Sequence, residues 1–380
     1  MDLHFDEDTE TFRAEVRQFL ADHTDDFPTE SYDTAEGFEQ HRRWDKILFD
    51  AGLSVITWPV EYGGRDASLL QWVVYEEEYF RAGAPGRASA NGTSMLAPTL
   101  FAHGTAEQRD RILPKMASGE QIWAQAWSEP ESGSDLASLR STATRTEGGW
   151  TLNGQKIWSS RAVFGERAFG LFRSDPQAQR HKGLTYVMFD LDAPGVTVRP
   201  IAQLGGDTGF GEIFLDDVFV PDEDVIGEPH QGWKAAMSTS SNERGMSLRS
   251  PARFLAPAEK LVAQWKRNPL PEFTDRVADA WIKAQAYRLH TFGTVTRVAG
   301  GGELGAESSV TKVFWSELDV DIHQTALDLR GADGELADAW TDGYLFSLGG
   351  PIYAGTNEIQ RNIIAERLLG LPRESQGQAK

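Results

Sequence analysis

Residues that can bind oxygen-rich ligands are concentrated in three short segments of this 380-residue chain. The first segment, residues 125–135, places serines and a flexible glycine in a turn at the start of a β region. Backbone N–H groups and hydroxyls in such a turn can hold carbonyl or phosphate oxygens. The same composition is also typical of an ordinary turn, so this segment alone does not identify a site.

The second segment, residues 156–160, has Trp158 just before two serines at the end of an expected strand. A core aromatic residue explains this pattern as well as a ligand contact does. The third segment, residues 353–362, opens the last expected helix. Thr356 suits its N-cap, and Gly355 lets a ligand approach the backbone. The helix dipole there favours electron-rich ligand atoms, although a capped helix without a ligand fits equally well.

Several common kinds of site are absent from the sequence. There is no G-x-G-x-x-G after a strand, no G-x-x-x-x-G-K-[ST] and no G-x-S-x-G. Cysteine is absent, which excludes disulfides, thiolate metal sites and a cysteine nucleophile. The 8 histidines are never three or four residues apart, so we expect no metal site built on one helix.

Hydrophobic periodicity predicts which elements position these segments. The first third has helical spacing, including a helix over Ala106–Met116 with Thr105 as its N-cap. From residue 123 to about residue 227 the period is two, which predicts strands. Asn153-Gly154 predicts a hairpin turn between residues 150–152 and 156–158. Further strands are expected at 168–173, 184–191, 196–203 and 213–220, and long amphipathic helices at 275–298 and 308–329.

The charge balance restricts the function class. With 37 Lys+Arg against 57 Asp+Glu, the net charge is −20, which argues against binding to nucleic acid. No run of about 18 apolar residues occurs, so no membrane span is predicted. The acidic start has no apolar signal region. We therefore expect a soluble, cytoplasmic protein.

The three segments, in this order and spacing, resemble the acyl-CoA dehydrogenase family. The resemblance extends over nearly the whole chain. Its most specific part is the Ser128–Asp135 segment followed by Asn153-Gly154-x-Lys156-x-Trp158. The other matching motifs are Trp58–Gly64, His103–Gln108 and Asn362–Pro372.

The resemblance implies a mainly α fold with a β middle domain. We expect a helical N-terminal domain over residues 1–122, a β-barrel-like middle domain over 123–230 and a C-terminal four-helix bundle over 231–380. It also implies FAD as the cofactor, an acyl-CoA substrate and an electron-transfer flavoprotein as the electron acceptor. The reaction implied is α,β-dehydrogenation of the thioester to the trans-2-enoyl-CoA.

Site residues follow from the resemblance position by position. The predicted flavin contacts are Gln125, Trp127, Ser128, Gly133, Ser134, Trp158, Ser160, Thr356 and Glu358. The predicted substrate contacts are Ser134, Arg244, Ala354 and Gly355.

The sequence departs from the family at the catalytic base. Many members have a Glu directly before the Gly-Thr of the last motif, where this chain has Ala354. Other branches place the base on the first long helix of the C-terminal domain, and Glu243 occupies that position here. We predict that Glu243 is the base, although a surface Glu-Arg pair with Arg244 would be the default without the family pattern.

A second departure concerns cofactor binding between subunits. The Arg and Gln that many homotetrameric members use there are not recognisable, and Arg330 is a candidate replacement for the cation. Together with residues 309–317, these features resemble an actinobacterial branch that includes steroid side-chain acyl-CoA dehydrogenases. Both a homotetramer and an α2β2 heterotetramer with shared FAD sites therefore stay open. A flavin-dependent monooxygenase, a structural partner subunit and a carrier-protein thioester substrate are the remaining alternatives.

Overall fold

The computed structural model describes residues 5–206, 208–243, 250–302 and 304–373, with the backbone alone for 241–243. The chain forms two compact units, Asp6–Glu243 and Arg244–Lys380, the latter with Met1–Phe5. No helix among the described residues is long and apolar enough to cross a membrane.

The first unit begins with helices, as the sequence predicted. The bounds are α1 Glu7–Asp22, α2 Ala35–Asp50, α3 Leu69–Arg81, α4 Ala97–His103 and α5 Ala106–Ala117. Thr105 caps α5, and it forms a reciprocal capping box with Gln108. The predicted helix and its N-cap are both confirmed.

Ion pairs with buried carboxylates join α1 to α3. Glu77 and Glu78 on α3 are buried, and Arg13 of α1 donates to both, at 3.1 and 3.0 Å. Arg17 also donates to Glu78, at 2.9 Å. Removing one partner of such a pair leaves a buried charge uncompensated, so these contacts fix how the two helices pack.

An eight-stranded mixed sheet follows. Its strands are β1 Trp123–Ala126, β2 Thr142–Thr146, β3 Gly149–Ser160, β4 Arg167–Arg173, β5 Leu184–Asp190, β6 Val196–Ile201, β7 Phe210–Pro221 and β8 Val225–Ile226. The order is β6-β7-β3-β2-β4-β5-β8, with β1 parallel to β4. The four strands predicted after residue 160 correspond to β4, β5, β6 and β7.

The hairpin predicted at Asn153-Gly154 is wrong. Residues 149–160 form one strand, and the turn that joins β2 to β3 lies at residues 147–148. Gly154 instead sits at a bulge, with φ of 141°, and a Cβ there would meet the Ser141 Oγ at 2.3 Å. Asn153 exchanges hydrogen bonds with Asp217 of β7. Asn-Gly favours the positive φ that a bulge and a hairpin turn both use, so sequence alone does not separate them.

The helix α6, Gly232–Glu243, is the last element of the first unit. The second unit contains α7 Ala252–Arg267, α8 Thr274–Ala299, α9 Ser308–Arg330, α10 Ala339–Ser347 and α11 Asn357–Ile363. The two long predicted amphipathic helices correspond to α8 and α9. The core between α7, α8 and α9 includes a stacked pair, Phe254 of α7 and Trp315 of α9, with ring centroids 5.6 Å apart.

A buried carboxyl on α2 generates a prediction about the pH dependence of stability. Asp45 is fully buried, and its Oδ2 accepts a hydrogen bond from the Ser89 N–H at 2.9 Å. Its Oδ1 has no hydrogen-bond partner among the described residues. Burial raises the pKa of Asp45 to about 6, although Ser89 and Arg87 act in the opposite direction.

Because the folded chain holds this proton more tightly than the unfolded chain, Asp45 favours folding most at acidic pH. That contribution is lost as the pH rises from about 4 to about 6, by about 3 kcal/mol. We expect Asp45→Asn to be more stable than wild type by about 2–3 kcal/mol at pH 8, with the gap shrinking toward pH 4.5. Urea unfolding across this range measures it. The exposed Asp50→Asn, on the same helix, is the control. A gap that does not vary with pH would contradict the prediction.

Candidate functional site

The serine-rich segment forms a closed turn after β1. Glu129 and Ser132 exchange backbone hydrogen bonds, at 2.9 and 3.0 Å. The Ser132 hydroxyl donates to the Asp135 carbonyl at 2.9 Å. Gly133 and Ser134 are exposed, and beyond the adjacent residues no atom lies within 4 Å of the place where a Cβ on Gly133 would be. The turn is therefore rigid at its base and open at its tip.

A buried ion pair holds this turn against β3. Lys156 is fully buried, and its ammonium donates to the Glu129 carboxylate and to the Leu171 carbonyl, both at 2.8 Å. The Glu129 carboxylate also accepts the N–H groups of Arg140 and Ser141, at 2.6 and 2.9 Å.

The two charges of this pair respond differently to burial. Burial lowers the pKa of Lys156, and the Glu129 charge opposes that shift. For Glu129, burial acts to raise the pKa, but the Lys156 charge and the two backbone donors hold it below its ordinary value. The ionised carboxylate is therefore the form that fits this site.

Trp158 is not a core residue. The residue is 56% exposed, and its backbone has a left-handed φ of 58°. It meets Phe210 edge-to-face with ring centroids 6.0 Å apart. The N–H of Ile157 donates to the Ser128 carbonyl at 2.9 Å, which joins this strand end to the serine turn. The structure therefore brings the first two predicted segments together and leaves Trp158 exposed beside them.

Trp127 belongs to a buried chain of polar side chains that sequence reasoning missed. Its Nε1 donates to the Tyr186 hydroxyl at 3.2 Å, which lies 3.2 Å from the Thr239 hydroxyl of α6. The Thr239 hydroxyl lies 2.6 Å from that of Thr99 on α4. In the sequence, Tyr186 has the pattern of an ordinary core residue of a strand, so nothing there indicated this role.

The third segment lies in the C-terminal unit. Thr356 caps α11 by accepting the Ile359 N–H at 3.3 Å, as predicted. Before it, Ala354 and Gly355 have left-handed φ values of 56° and 82°. The buried amide of Gln360 donates to both of their carbonyls, at 3.1 and 3.2 Å. A non-glycine residue pays a conformational cost at such a φ, so this clamp is needed to hold the loop.

A buried lysine supports the same helix start from α9. Lys312 is fully buried and donates to the Asn357 Oδ1 at 2.8 Å. The Ser316 hydroxyl donates to the same oxygen at 3.1 Å. The Glu358 carboxyl has a lowered pKa, because it accepts hydrogen bonds at the helix start and lies near Arg361 and Lys312.

The remaining predicted residues are less fully defined. Glu243 is the last residue of α6, and its side chain lies outside the described part of the structure, as does all of Arg244. Arg330, the candidate for the missing cofactor cation, donates to Asp338, which caps α10. Gln125 lies in β1 opposite Phe169 of β4.

The residues of the first unit fit FAD. A flavin ring system packs well on an exposed aromatic residue, and Trp158 is such a residue. Its phosphates need N–H and hydroxyl donors, and the open Gly133-Ser134 tip of the turn can provide them. No group of three or more His, Asp or Glu side chains suited to hold a metal ion occurs within the described ranges.

Three family models match the chain in order. The acyl-CoA dehydrogenase N-terminal domain matches residues 6–120, the middle domain matches 124–218 and the C-terminal domain matches 230–369. Acyl-CoA dehydrogenase IpdE1 of Mycolicibacterium smegmatis is 39% identical, over 97% of this chain and 100% of that protein.

Solved structures agree with these matches. A chain of the "Tcur3481-Tcur3483 steroid ACAD" superposes with a TM-score of 0.88 at 28% identity, covering 98% of this chain and 100% of that one. A chain of the ChsE4-ChsE5 complex from Mycobacterium tuberculosis gives a TM-score of 0.84 at 26% identity, covering 98% and 100%.

Loss of the buried lysine tests how far the serine turn depends on it. We expect Lys156→Met to lower the free energy of unfolding by about 3–5 kcal/mol, because the Glu129 charge stays buried without its partner. Urea unfolding measures the loss, and visible absorbance measures retained flavin, which we expect to fall. The double variant with Glu129→Gln should recover part of the stability. The exposed Arg180–Asp135 pair provides the control, since Arg180→Gln should cost less than about 1 kcal/mol. If the Lys156→Met protein is as stable as wild type, the buried Lys156–Glu129 pair does not stabilise the serine turn as we predict.

Proposed function

The chain belongs to the acyl-CoA dehydrogenase family of FAD-dependent oxidoreductases, and from this we propose that it oxidises the Cα–Cβ bond of an acyl-CoA thioester. The product would be the trans-2-enoyl-CoA. The observation that carries the proposal is that all three domain models match in chain order, from residue 6 to residue 369.

Removal of the α-proton requires a base, because a C–H next to a thioester is only weakly acidic. We propose Glu243 for this role. Its position at the end of α6 supports the assignment, as does the absence of an acid at Ala354. FAD, when bound, supplies the acceptor for the hydride that leaves Cβ.

Negative charge develops on the thioester oxygen as the α-proton leaves, and it needs preorganised donors. We propose that the backbone at Ala354 and Gly355 supplies them. The left-handed conformation of both residues and the two hydrogen bonds from Gln360 support this role. The adjacent N-terminus of α11 adds a favourable dipole, although α11 is only a short helix.

We further propose that the acyl group is bulky and derived from a steroid. The similarity to a protein described as a steroid ACAD supports this proposal. The electrons would then pass to an electron-transfer flavoprotein, as implied by the family resemblance.

A specific observation favours a second candidate, in which the chain is one subunit of an α2β2 heterotetramer with shared FAD sites. The similar solved structures are described as Tcur3481-Tcur3483 and as the ChsE4-ChsE5 complex, which are pairs of unlike chains. The engagement of Arg330 by Asp338 within this chain is consistent with a cofactor cation supplied by a partner.

The base assignment is tested with Glu243→Gln. We expect the variant to retain FAD but to lose at least about a hundredfold in the rate of flavin reduction, the scale typical of a general base. Stopped-flow absorbance with a steroid-derived and a straight-chain acyl-CoA gives both rate and substrate preference. Glu259→Gln, an exposed position on α7, is the matched control. Reduction of the Glu243→Gln flavin at the wild-type rate would exclude Glu243 as the base.

The subunit question is tested by the FAD content per chain. If FAD sites are shared between unlike chains, the protein purified alone should hold well under one FAD per chain. Co-expression with candidate partner genes should then raise the ratio and yield a stable heteromer. A ratio near one in the protein purified alone would favour the homotetramer over the heterotetramer.

A further inference from the structure

Building on the proposed function, we propose that Tyr186 and Thr239 are positioning residues that hold α6, and with it Glu243, in a fixed position relative to Trp127. The feature that carries this inference is the buried hydroxyl chain that runs from Trp127 through Tyr186 and Thr239 to Thr99. It links the residue after β1 to β5, α6 and α4 within one compact unit.

The donor and acceptor roles in this hydroxyl chain are fixed at its Trp127 end. An indole N–H only donates, so the Tyr186 hydroxyl accepts from Trp127 and its own proton is directed elsewhere. Tyr186, Thr239 and Thr99 are all fully buried. At the far end the Thr99 hydroxyl lies 2.9 Å from the Met95 carbonyl. The Thr239 hydroxyl also lies 3.2 Å from the Ala235 carbonyl of its own helix. Loss of the Tyr186 or the Thr239 hydroxyl would remove the side-chain hydrogen bond between β5 and α6, and this bond favours one arrangement of the helix on the strand.

The start of α6 is fixed on the same strand by the backbone. A Cβ at Gly232 would lie 2.4 Å from the Tyr186 nitrogen, so α6 begins in direct contact with β5. The N–H of His230 donates to the Thr185 hydroxyl at 2.9 Å. These contacts hold the first turn of α6, and the Tyr186–Thr239 contact holds the helix about two turns further on.

Thr239 is four residues before Glu243, a distance of about 6 Å along a helix. A base must reach the α-proton within hydrogen-bond distance, and a misplacement of about 1 Å can cost up to about a hundredfold in rate. The hydroxyl chain is therefore placed to set the position of the proposed base through the helix that carries it.

The test compares Tyr186→Phe and Thr239→Val with Thr239→Ser, which keeps the hydroxyl. In the first two variants we expect FAD to be retained, the substrate Kd to change by less than about twofold, and flavin reduction to slow by about tenfold or more. We also expect the pH profile of reduction to shift and the amides of residues 232–243 to exchange hydrogen faster in the apoprotein. Thr239→Ser should behave like wild type.

Tyr79→Phe is a matched control for lost stability. Tyr79 also accepts from a buried tryptophan, Trp44, at 2.7 Å, and donates to the Pro85 carbonyl, but it lies among the N-terminal helices. We expect Tyr79→Phe to lower the midpoint of urea unfolding about as much as Tyr186→Phe and Thr239→Val do. The rate of flavin reduction and the amide hydrogen exchange of α6 should stay unchanged.

Two results would overturn the inference. One is that both Tyr186→Phe and Thr239→Val reduce their flavin at the wild-type rate and show unchanged amide hydrogen exchange in α6. The other is slowed reduction with unchanged α6 exchange, which would mean that the effect acts through Trp127 and not through the helix. If no acyl-CoA reduces the wild-type flavin, the proposed function fails, and the exchange measurement still decides whether the hydroxyls hold α6.

Discussion

The buried ion pair between Lys156 and Glu129 is the interaction on which the candidate cofactor site depends. It lies where the serine turn meets β3, and together with the Ile157 N–H bond to the Ser128 carbonyl it joins two segments that are separated by about twenty residues. A buried charge is costly unless its hydrogen bonds are complete, and here the carboxylate has two backbone donors as well as the ammonium. These contacts of Glu129 thus fix one conformation at the base of the serine turn, while its Gly133-Ser134 tip is exposed.

In the C-terminal unit, buried neutral groups and the buried Lys312 ammonium hold the loop before α11 in one conformation. The Ala354-Gly355 loop has a strained backbone that would relax if it were free. Gln360 holds its carbonyls, while Lys312 and Ser316 hold Asn357 at the start of α11. The Tyr353 ring stacks on Trp315, with centroids 6.0 Å apart, and ties the loop to the bundle core. Rigid support of this kind is what a preorganised oxyanion site requires.

The absence of an acid at Ala354 changes the demands on the rest of the chain. If the base comes from α6, its position depends on how that helix packs against β5 and α4, and not on the Ala354-Gly355 loop. The helix is held at Gly232 by close backbone packing and at Thr239 by a hydroxyl chain. In that case the proposed base and the proposed oxyanion donors belong to two elements, α6 and the Ala354-Gly355 loop, that have separate supports.

The sequence by itself determined the family, the order helical–β–helical and most of the long elements, because hydrophobic periodicity and caps such as Thr105 and Thr356 act locally. It also singled out the three segments that contain most of the predicted site residues. It did not separate a bulge from a hairpin at Asn153-Gly154, because both use the same positive φ. It also did not decide whether Trp158 is buried or exposed, because that depends on the neighbouring strands, whose pairing is irregular between Lys156 and Ser159.

Tertiary structure alone decided that Lys156 is buried against Glu129 and that Tyr186 meets both Trp127 and Thr239. These contacts join residues far apart in the chain, and the pattern of a core residue in a strand carries no information about its distant hydrogen-bond partners.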